Sequence, residues 1–216
     1  MTQRYFGCYE TFDTTGKDQG GALLSADNLV GDEFTVQMEM TEEGHTAWLV
    51  NRFGKRVGFF SPSFSRKLGI LQAEGLTIKA VLSFVAFSTE PEPGHYWGEA
   101  AVIAYAPAYA TEFERFIAQV GARMADSVRT NVAFDNTAVD RIIDSGGEWM
   151  PSQTVPLPKK SKGMMVMKDK RSFTDKLVEQ GRARNKGCYV ASWLFIIAIV
   201  ALIVWGICSL FFTSGA

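Results

Sequence analysis

The chain has 216 residues, of which 22 are basic and 23 acidic, so its formal net charge is −1. This average hides an asymmetry, because residues 159–186 hold ten basic and three acidic residues whereas residues 1–158 hold twelve and twenty. The resulting charge of −8 on the N-terminal part repels phosphate, which speaks against general nucleic-acid binding there. Residues 1–150 are long enough to form one domain with its own hydrophobic core.

The N-terminal half of this domain reads mainly as strands. The first ten residues are polar and lack the apolar stretch of a signal peptide. At residues 33–40, apolar side chains alternate with polar or acidic ones, which predicts a strand with one buried face. Two further strands are predicted at residues 46–50 and 56–60, each after a turn that contains glycine. These three strands form a predicted meander.

A helix is predicted after the meander. Ser61 is a favourable N-cap residue and Pro62 suits the first helical position. Phe64, Leu68 and Leu71 share one helical face, and the helix is expected to end at the glycine of position 75.

Two longer strands complete the predicted barrel. They span residues 76–87 and 96–105, with a Pro-Glu-Pro-Gly turn between them at residues 91–94. Five strands with one inserted helix can close into a small antiparallel barrel, which removes exposed sheet edges.

Helices follow the predicted barrel. The first begins at Pro107, and its apolar stripe consists of Phe113, Phe116, Ile117, Val120, Met124 and Val128. A shorter one contains Val139, Ile142 and Ile143 and ends at two glycines, 146 and 147. Such stripes usually pack against a core, so we expect both helices to dock on the barrel.

The composition changes at residue 151. Residues 151–187 contain three prolines and then many bases, and they predict a flexible linker. Within it, the apolar run 164–167 is a candidate contact with lipid or a partner. The bases expected to lie on a membrane surface are Lys159, Lys160, Lys162, Lys168, Lys170, Arg171, Arg182, Arg184 and Lys186.

The last predicted element is a transmembrane helix at residues 188–212. Residues 190–212 contain no charge and no proline, and as a helix they would extend about 34 Å, enough for a hydrocarbon core of about 30 Å. The alternative is a buried core helix. The bases before this run predict a cytoplasmic N-terminal domain, and thus a tail-anchored, single-pass membrane protein. The predicted fold class is α+β, a barrel with packing helices and this C-terminal helix.

No pattern in the sequence points to catalysis. His45 and His95 lie in no zinc-binding spacing, and Cys8, Cys188 and Cys208 match no zinc or redox motif. The chain has neither a Gly-x-Ser-x-Gly elbow nor a phosphate-binding Gly-Lys-Ser/Thr loop. We therefore expect no enzyme, no metal and no cofactor, although a hydrolase site built from distant residues stays open.

Residues 33–87 resemble a known family. An Ala-Trp-Leu-Val strand at 47–50, a Val-Gly-Phe-Phe strand at 57–60, a helix, and a glycine before the next strand together resemble the HIRAN domain. The resemblance implies a small six-stranded barrel that recognises single-stranded DNA ends beside helicase or nuclease domains. The chain has Thr-Glu-Glu-Gly at 41–44 where that family has an Asn-Pro-x-Asp turn.

One local cluster is a candidate binding patch that combines charge with aromatic stacking. It consists of Arg52, Lys55, Arg56, Phe59, Arg66 and Lys67. The alternative is that the phenylalanines are core residues and the bases are solvated. The leading hypothesis is a membrane-anchored, non-enzymatic module that binds a protein partner. The other hypothesis is a membrane-tethered HIRAN-like module that binds nucleic acid.

Overall fold

A computed structural model describes residues 4–41, 44–159 and 161–182, together with residues 195, 197 and 199. The chain divides into two units, Met1–Ser172 and Phe173–Ala216. The strands are β1 (Tyr5–Asp13), β2 (Glu33–Thr41), β3 (Gly44–Val50), β4 (Arg56–Phe60), β5 (Thr77–Ser88), β6 (His95–Tyr105) and β7 (Met164–Lys168). The helices are α1 (Lys17–Leu24), α2 (Pro62–Ala73), α3 (Ala110–Ala125), α4 (Asn136–Asp144) and α5 (Phe173–Arg182).

Six antiparallel strands form a closed barrel in the order β2-β3-β4-β1-β6-β5, and β5 pairs back to β2 through Phe34 and Ala80. The predicted β-barrel is confirmed, but the predicted number of five strands is wrong. The strand that was not predicted is β1, which lies between β4 and β6. Its Phe12 faces the barrel interior while Tyr5 faces a second core outside, so apolar residues on both faces conceal the period of two.

The barrel interior is filled by aromatic and aliphatic side chains. Phe12 lies over two glycines of the neighbouring strands, because a Cβ atom at Gly58 or Gly98 would come within 2.5 or 2.6 Å of its ring. Helix α2 closes one end and begins as predicted, since the Ser61 hydroxyl accepts a hydrogen bond from the Phe64 backbone N–H at 3.4 Å. The close contact of Phe12 with both glycines ties β1 to one register against β4 and β6.

A second core lies on the outside of the barrel, beneath α3 and α4. Phe113 and Phe116 of α3 are fully buried there with Ile142 of α4 and Ile103 of β6. Gly121 permits close approach, since a Cβ atom at this position would lie 2.5 Å from the carbonyl oxygen of Gly31. We call the outer face of β1, β5 and β6, which these two helices cover, the covered wall.

The segment predicted as a linker belongs to the first unit up to Ser172. Arg123 donates a hydrogen bond to the Pro151 carbonyl at 3.0 Å, and Thr130 forms an isolated β-bridge with Thr154. The apolar run 164–167 lies in β7, which pairs with the second half of β5. The strand is only five residues long and mostly methionine, so it carries little β-branched signal.

The predicted fold class needs one further correction. In the ranges that the structure describes, no helix is long and apolar enough to cross a membrane. The longest of these helices, α3, has 16 residues, or about 24 Å, and carries acids and arginines along its length. The predicted transmembrane helix at residues 188–212 falls outside the described residues except at positions 195, 197 and 199.

Candidate binding surface

The outer face of β2, β3 and β4 contrasts with the covered wall, and we call it the open wall. Its central residue is Trp48, which points outward because its neighbours Ala47 and Leu49 are fully buried inside the barrel. Phe59 lies directly opposite Trp48 on β4. Both aromatic side chains are half-exposed, and Gln37, which is opposite Trp48 on β2, is exposed.

Four side chains of the open wall hold one another in place. The Trp48 indole Nε1–H and the Arg56 guanidinium both donate to Oε2 of Glu39, at 2.7 and 2.9 Å. The Arg56 guanidinium lies 4.9 Å from the Trp48 ring centroid, and the rings of Trp48 and Phe59 are 5.4 Å apart. These contacts fix the orientation of a large aromatic surface before any ligand arrives, which lowers the entropy cost of binding.

The electrostatics of the open wall do not favour phosphate. The charge of Arg56 is matched by the carboxylate of Glu39. On the other side of the aromatic pair, Asp13 lies opposite Phe59, and its side chain is 60% exposed. Because Arg56 is neutralised and Asp13 is exposed beside Phe59, the aromatic pair is not surrounded by the surplus positive charge that binds a nucleic-acid backbone, whereas Trp, Phe and Arg are residue types enriched at protein interfaces.

The predicted patch is divided by the structure. Arg56 and Phe59 lie in the open wall, whereas Arg52 and Lys55 are exposed in the turn between β3 and β4, with the Arg52 guanidinium 4.8 Å from the ring of the adjacent Phe53. The last two residues of the patch are exposed on α2. They are Arg66 and Lys67.

On α2, the ammonium group of Lys67 lies 4.0 Å from the centroid of Phe6, a partly buried ring at the barrel end. Phe60 and Phe64 are core residues. Of the six residues of the predicted patch, Arg56 and Phe59 therefore lie in the open wall and the four other bases lie elsewhere.

Trp48 and Glu39 were missed as site residues. The available signal was a tryptophan at an outward position of a predicted strand, flanked by small or aliphatic inward residues. Glu39 is also at an outward position of β2, but its partners depend on the register between β2 and β3, which the sequence did not supply.

Two of the bases predicted to lie on lipid make internal hydrogen bonds. Lys168 donates to the carbonyls of residues 24, 25 and 28 at 3.2, 3.0 and 2.8 Å. Arg171 donates to the Val30 carbonyl at 2.7 Å and to the Asp32 carboxylate at 3.0 Å. Lys159, Lys162 and Lys170 are exposed. Lys160, Arg184 and Lys186 lie outside the described residues, and Arg182 is the last residue of α5.

A buried ion pair lies at the covered wall. Arg129 pairs with Glu99 of β6 and also donates to the Pro156 carbonyl, and its guanidinium lies 4.5 Å from the ring of Tyr9. Burial raises the pKa of Glu99, and Arg129 opposes this shift. The two side chains are only 6% and 8% exposed, so the pair holds the chain near residues 129 and 156 to the barrel.

The thiol of Cys8 lies partly buried in β1. Burial, together with the charge of Glu10, raises the pKa of the Cys8 thiol to about 12, so this group is protonated and unreactive near neutral pH. Within residues 4–41, 44–159 and 161–182, no cluster of three histidine, cysteine or acidic side chains could hold a metal.

A comparison of the chain with protein-family models, curated proteins and solved structures finds no match.

Proposed function

We propose that the first unit of this protein is a non-enzymatic module that binds a protein partner through the open wall. The observation that carries this proposal is Trp48, which is held outward between Arg56 and Phe59. Tryptophan and arginine are enriched among the residues that dominate interface energies. Here both are half-exposed and already fixed by hydrogen bonds, so a partner would cover them at little entropic cost.

The partner can be captured from the open wall itself. We would place a photo-crosslinking amino acid at Gln37 of the full chain, beside Trp48, and at Ala118 as a control on the exposed side of α3. A protein that crosslinks from position 37 and not from position 118 would be identified by mass spectrometry. Equal capture from both positions, or none from position 37, would contradict the proposal.

The captured protein then allows a quantitative test. Trp48→Ala should weaken its binding to the full chain by roughly thirtyfold, the effect of a hot spot worth about 2 kcal/mol. Ile70→Ala is the matched control, because Ile70 is also a large exposed apolar residue but lies on α2. If both substitutions change affinity equally, the open wall is not the binding surface.

A second candidate function is binding of single-stranded nucleic acid at the β3–β4 turn. In its favour, the exposed Arg52 stacks on Phe53 and the exposed Lys55 follows within the same turn. Titration of the full chain with single-stranded DNA at two salt concentrations tests it. Salt-sensitive binding that is lost in an Arg52→Ala, Lys55→Ala double variant would support this function, and binding without salt dependence, or none, would remove it.

A further inference from the structure

We propose that the free edge of β7 is a second binding surface, which takes an extended acidic peptide as an added strand. β7 pairs with β5 on one side, where Met165 lies opposite Phe87 and Val166 opposite Ala86. On its other side, no strand of the described part of the chain is hydrogen-bonded to it. The Met164 N–H donates to the Ser161 carbonyl at 3.1 Å, and the rest of this edge presents backbone donors and acceptors to an incoming strand.

Apart from its short length of five residues, β7 lacks the features that usually protect a natural edge strand. Charged side chains or prolines within an edge strand normally prevent another strand from pairing with it. The first four residues of β7 are methionine and valine, and they carry no charge. Its one charged residue, Lys168, comes last and donates its hydrogen bonds inward to three carbonyls between Leu24 and Asn28. A strand without such protection suits a binding edge.

The side chains of β7 supply an adaptable contact. Met165 and Met167 point to the same side of the strand and are 53% and 45% exposed. Methionine is flexible and polarisable, so these two side chains can fit varied apolar residues of a partner strand. Alternate residues of a bound peptide would therefore lie against the two methionines.

Charge complementarity identifies the peptide as acidic. Exposed Lys162 precedes β7, and half-buried Asp169 and exposed Lys170 follow it, so an exposed lysine lies near each end of the edge. A second copy of the chain fits poorly, because antiparallel pairing of two β7 strands centred on Val166 would place Lys162 opposite Lys170 of the other copy. An extended peptide with apolar alternate residues and acids at both ends satisfies the backbone, the methionines and the lysines together.

The test is a selection of displayed random dodecapeptides on the full chain. A Met165→Asp, Met167→Asp double variant serves for counter-selection, since it places charges of the same sign as the peptide on the edge. Met40→Asp is the matched control, because Met40 is 77% exposed on β2. Circular dichroism and melting temperature establish that each variant is folded.

We expect the selected peptides to have β-branched residues at alternate positions and acidic residues at both ends. The double substitution should weaken the binding of such a peptide at least tenfold, Met40→Asp and Trp48→Ala should change it less than twofold, and bound peptide should slow amide exchange at residues 164–167. Basic peptides, peptides that bind the double variant equally, or an effect of the double substitution on oligomeric state alone would overturn the proposal. Because Trp48→Ala leaves the β7 edge intact, failure of the edge proposal can be distinguished from failure of the proposed function of the open wall.

Discussion

The covered wall and the open wall of the barrel use outward aromatic residues in different ways. On the covered wall, Tyr5 and Tyr105 stack on Phe113 of α3, with ring centroids 5.3 Å apart in both pairs, and all three are buried. On the open wall, Trp48 and Phe59 also pack against each other but stay half-exposed. The same strand geometry therefore yields core where a helix docks and an accessible aromatic surface, our proposed binding site, where no helix of the described residues covers the pair.

The largest expected difference between the walls concerns stability. Phe113→Ala should lower the free energy of unfolding by about 3–5 kcal/mol, because it opens a cavity in a fully buried site. Phe59→Ala should cost less than about 1 kcal/mol, since its ring already faces solvent in part. Urea unfolding followed by circular dichroism measures both values. Similar losses for the two variants would remove the distinction between the walls.

One ion pair on each wall provides an independent comparison: Glu99–Arg129 on the covered wall and Glu39–Arg56 on the open wall. Glu99→Ala should cost about 3–4 kcal/mol, because it leaves the buried guanidinium of Arg129 without its carboxylate. Glu39→Ala should cost less than about 1 kcal/mol, because the Glu39–Arg56 pair is more than one-third exposed. The same unfolding experiment tests this expectation, and a larger loss for Glu39→Ala would show that the open wall is structural.

Glycine substitutions test how closely α3 must approach. Gly121→Ala should cost about 1–3 kcal/mol, because the new methyl group would press against the Gly31 carbonyl. Gly21 is the control, since it lies within α1 with no atom near its missing Cβ. Gly21→Ala should stabilise the protein by up to about 1 kcal/mol through helix propensity. Melting temperatures would show opposite shifts, and a stabilising Gly121→Ala would mean that α3 docks less tightly.

The smallest expected effect is a dependence on pH. Burial raises the pKa of Glu99 in the folded protein, so the stability that its proton provides is present below the unfolded pKa and is lost as pH rises through the folded pKa. The wild-type chain should therefore lose stability relative to Glu99→Gln as pH rises from acid towards neutral. Unfolding at several pH values measures this difference. A difference that grows in the opposite direction would show that Arg129 outweighs burial.

Sequence patterns predicted strands β2 to β6 and helix α2 close to their observed positions. β2 was predicted from its alternation of apolar and polar residues, whereas β5 and β6 are largely apolar runs on either side of a Pro-Glu-Pro-Gly turn. Val128 was assigned to the α3 stripe, but α3 ends at Ala125, and Ser127 then takes a positive φ of 66° that turns the chain away. Val128 is accordingly exposed. Local periodicity cannot foresee where such a turn ends a stripe.

The candidate site depended on information that a single sequence does not hold. The outward position of Trp48 follows from alternation, but its contacts with Glu39 and Arg56 require the pairing of three strands. Glu99 lies in β6 and Arg129 follows α3, so the two residues are far apart in sequence, and no spacing rule predicts that they pair. Strand pairing and burial, rather than residue type alone, therefore determine which charged groups form stabilising contacts in the folded protein.

The proposed role of the open wall is tested most directly by hydroxyl-radical footprinting of the full chain, with and without the partner protein that the crosslinking experiment identifies. We predict that the partner lowers the oxidation of Trp48 and Phe59 several-fold and leaves Ile70 of α2, which is 55% exposed, unchanged. Unchanged oxidation of both aromatic residues, or protection of Ile70 instead, would contradict the proposal that the open wall binds the partner.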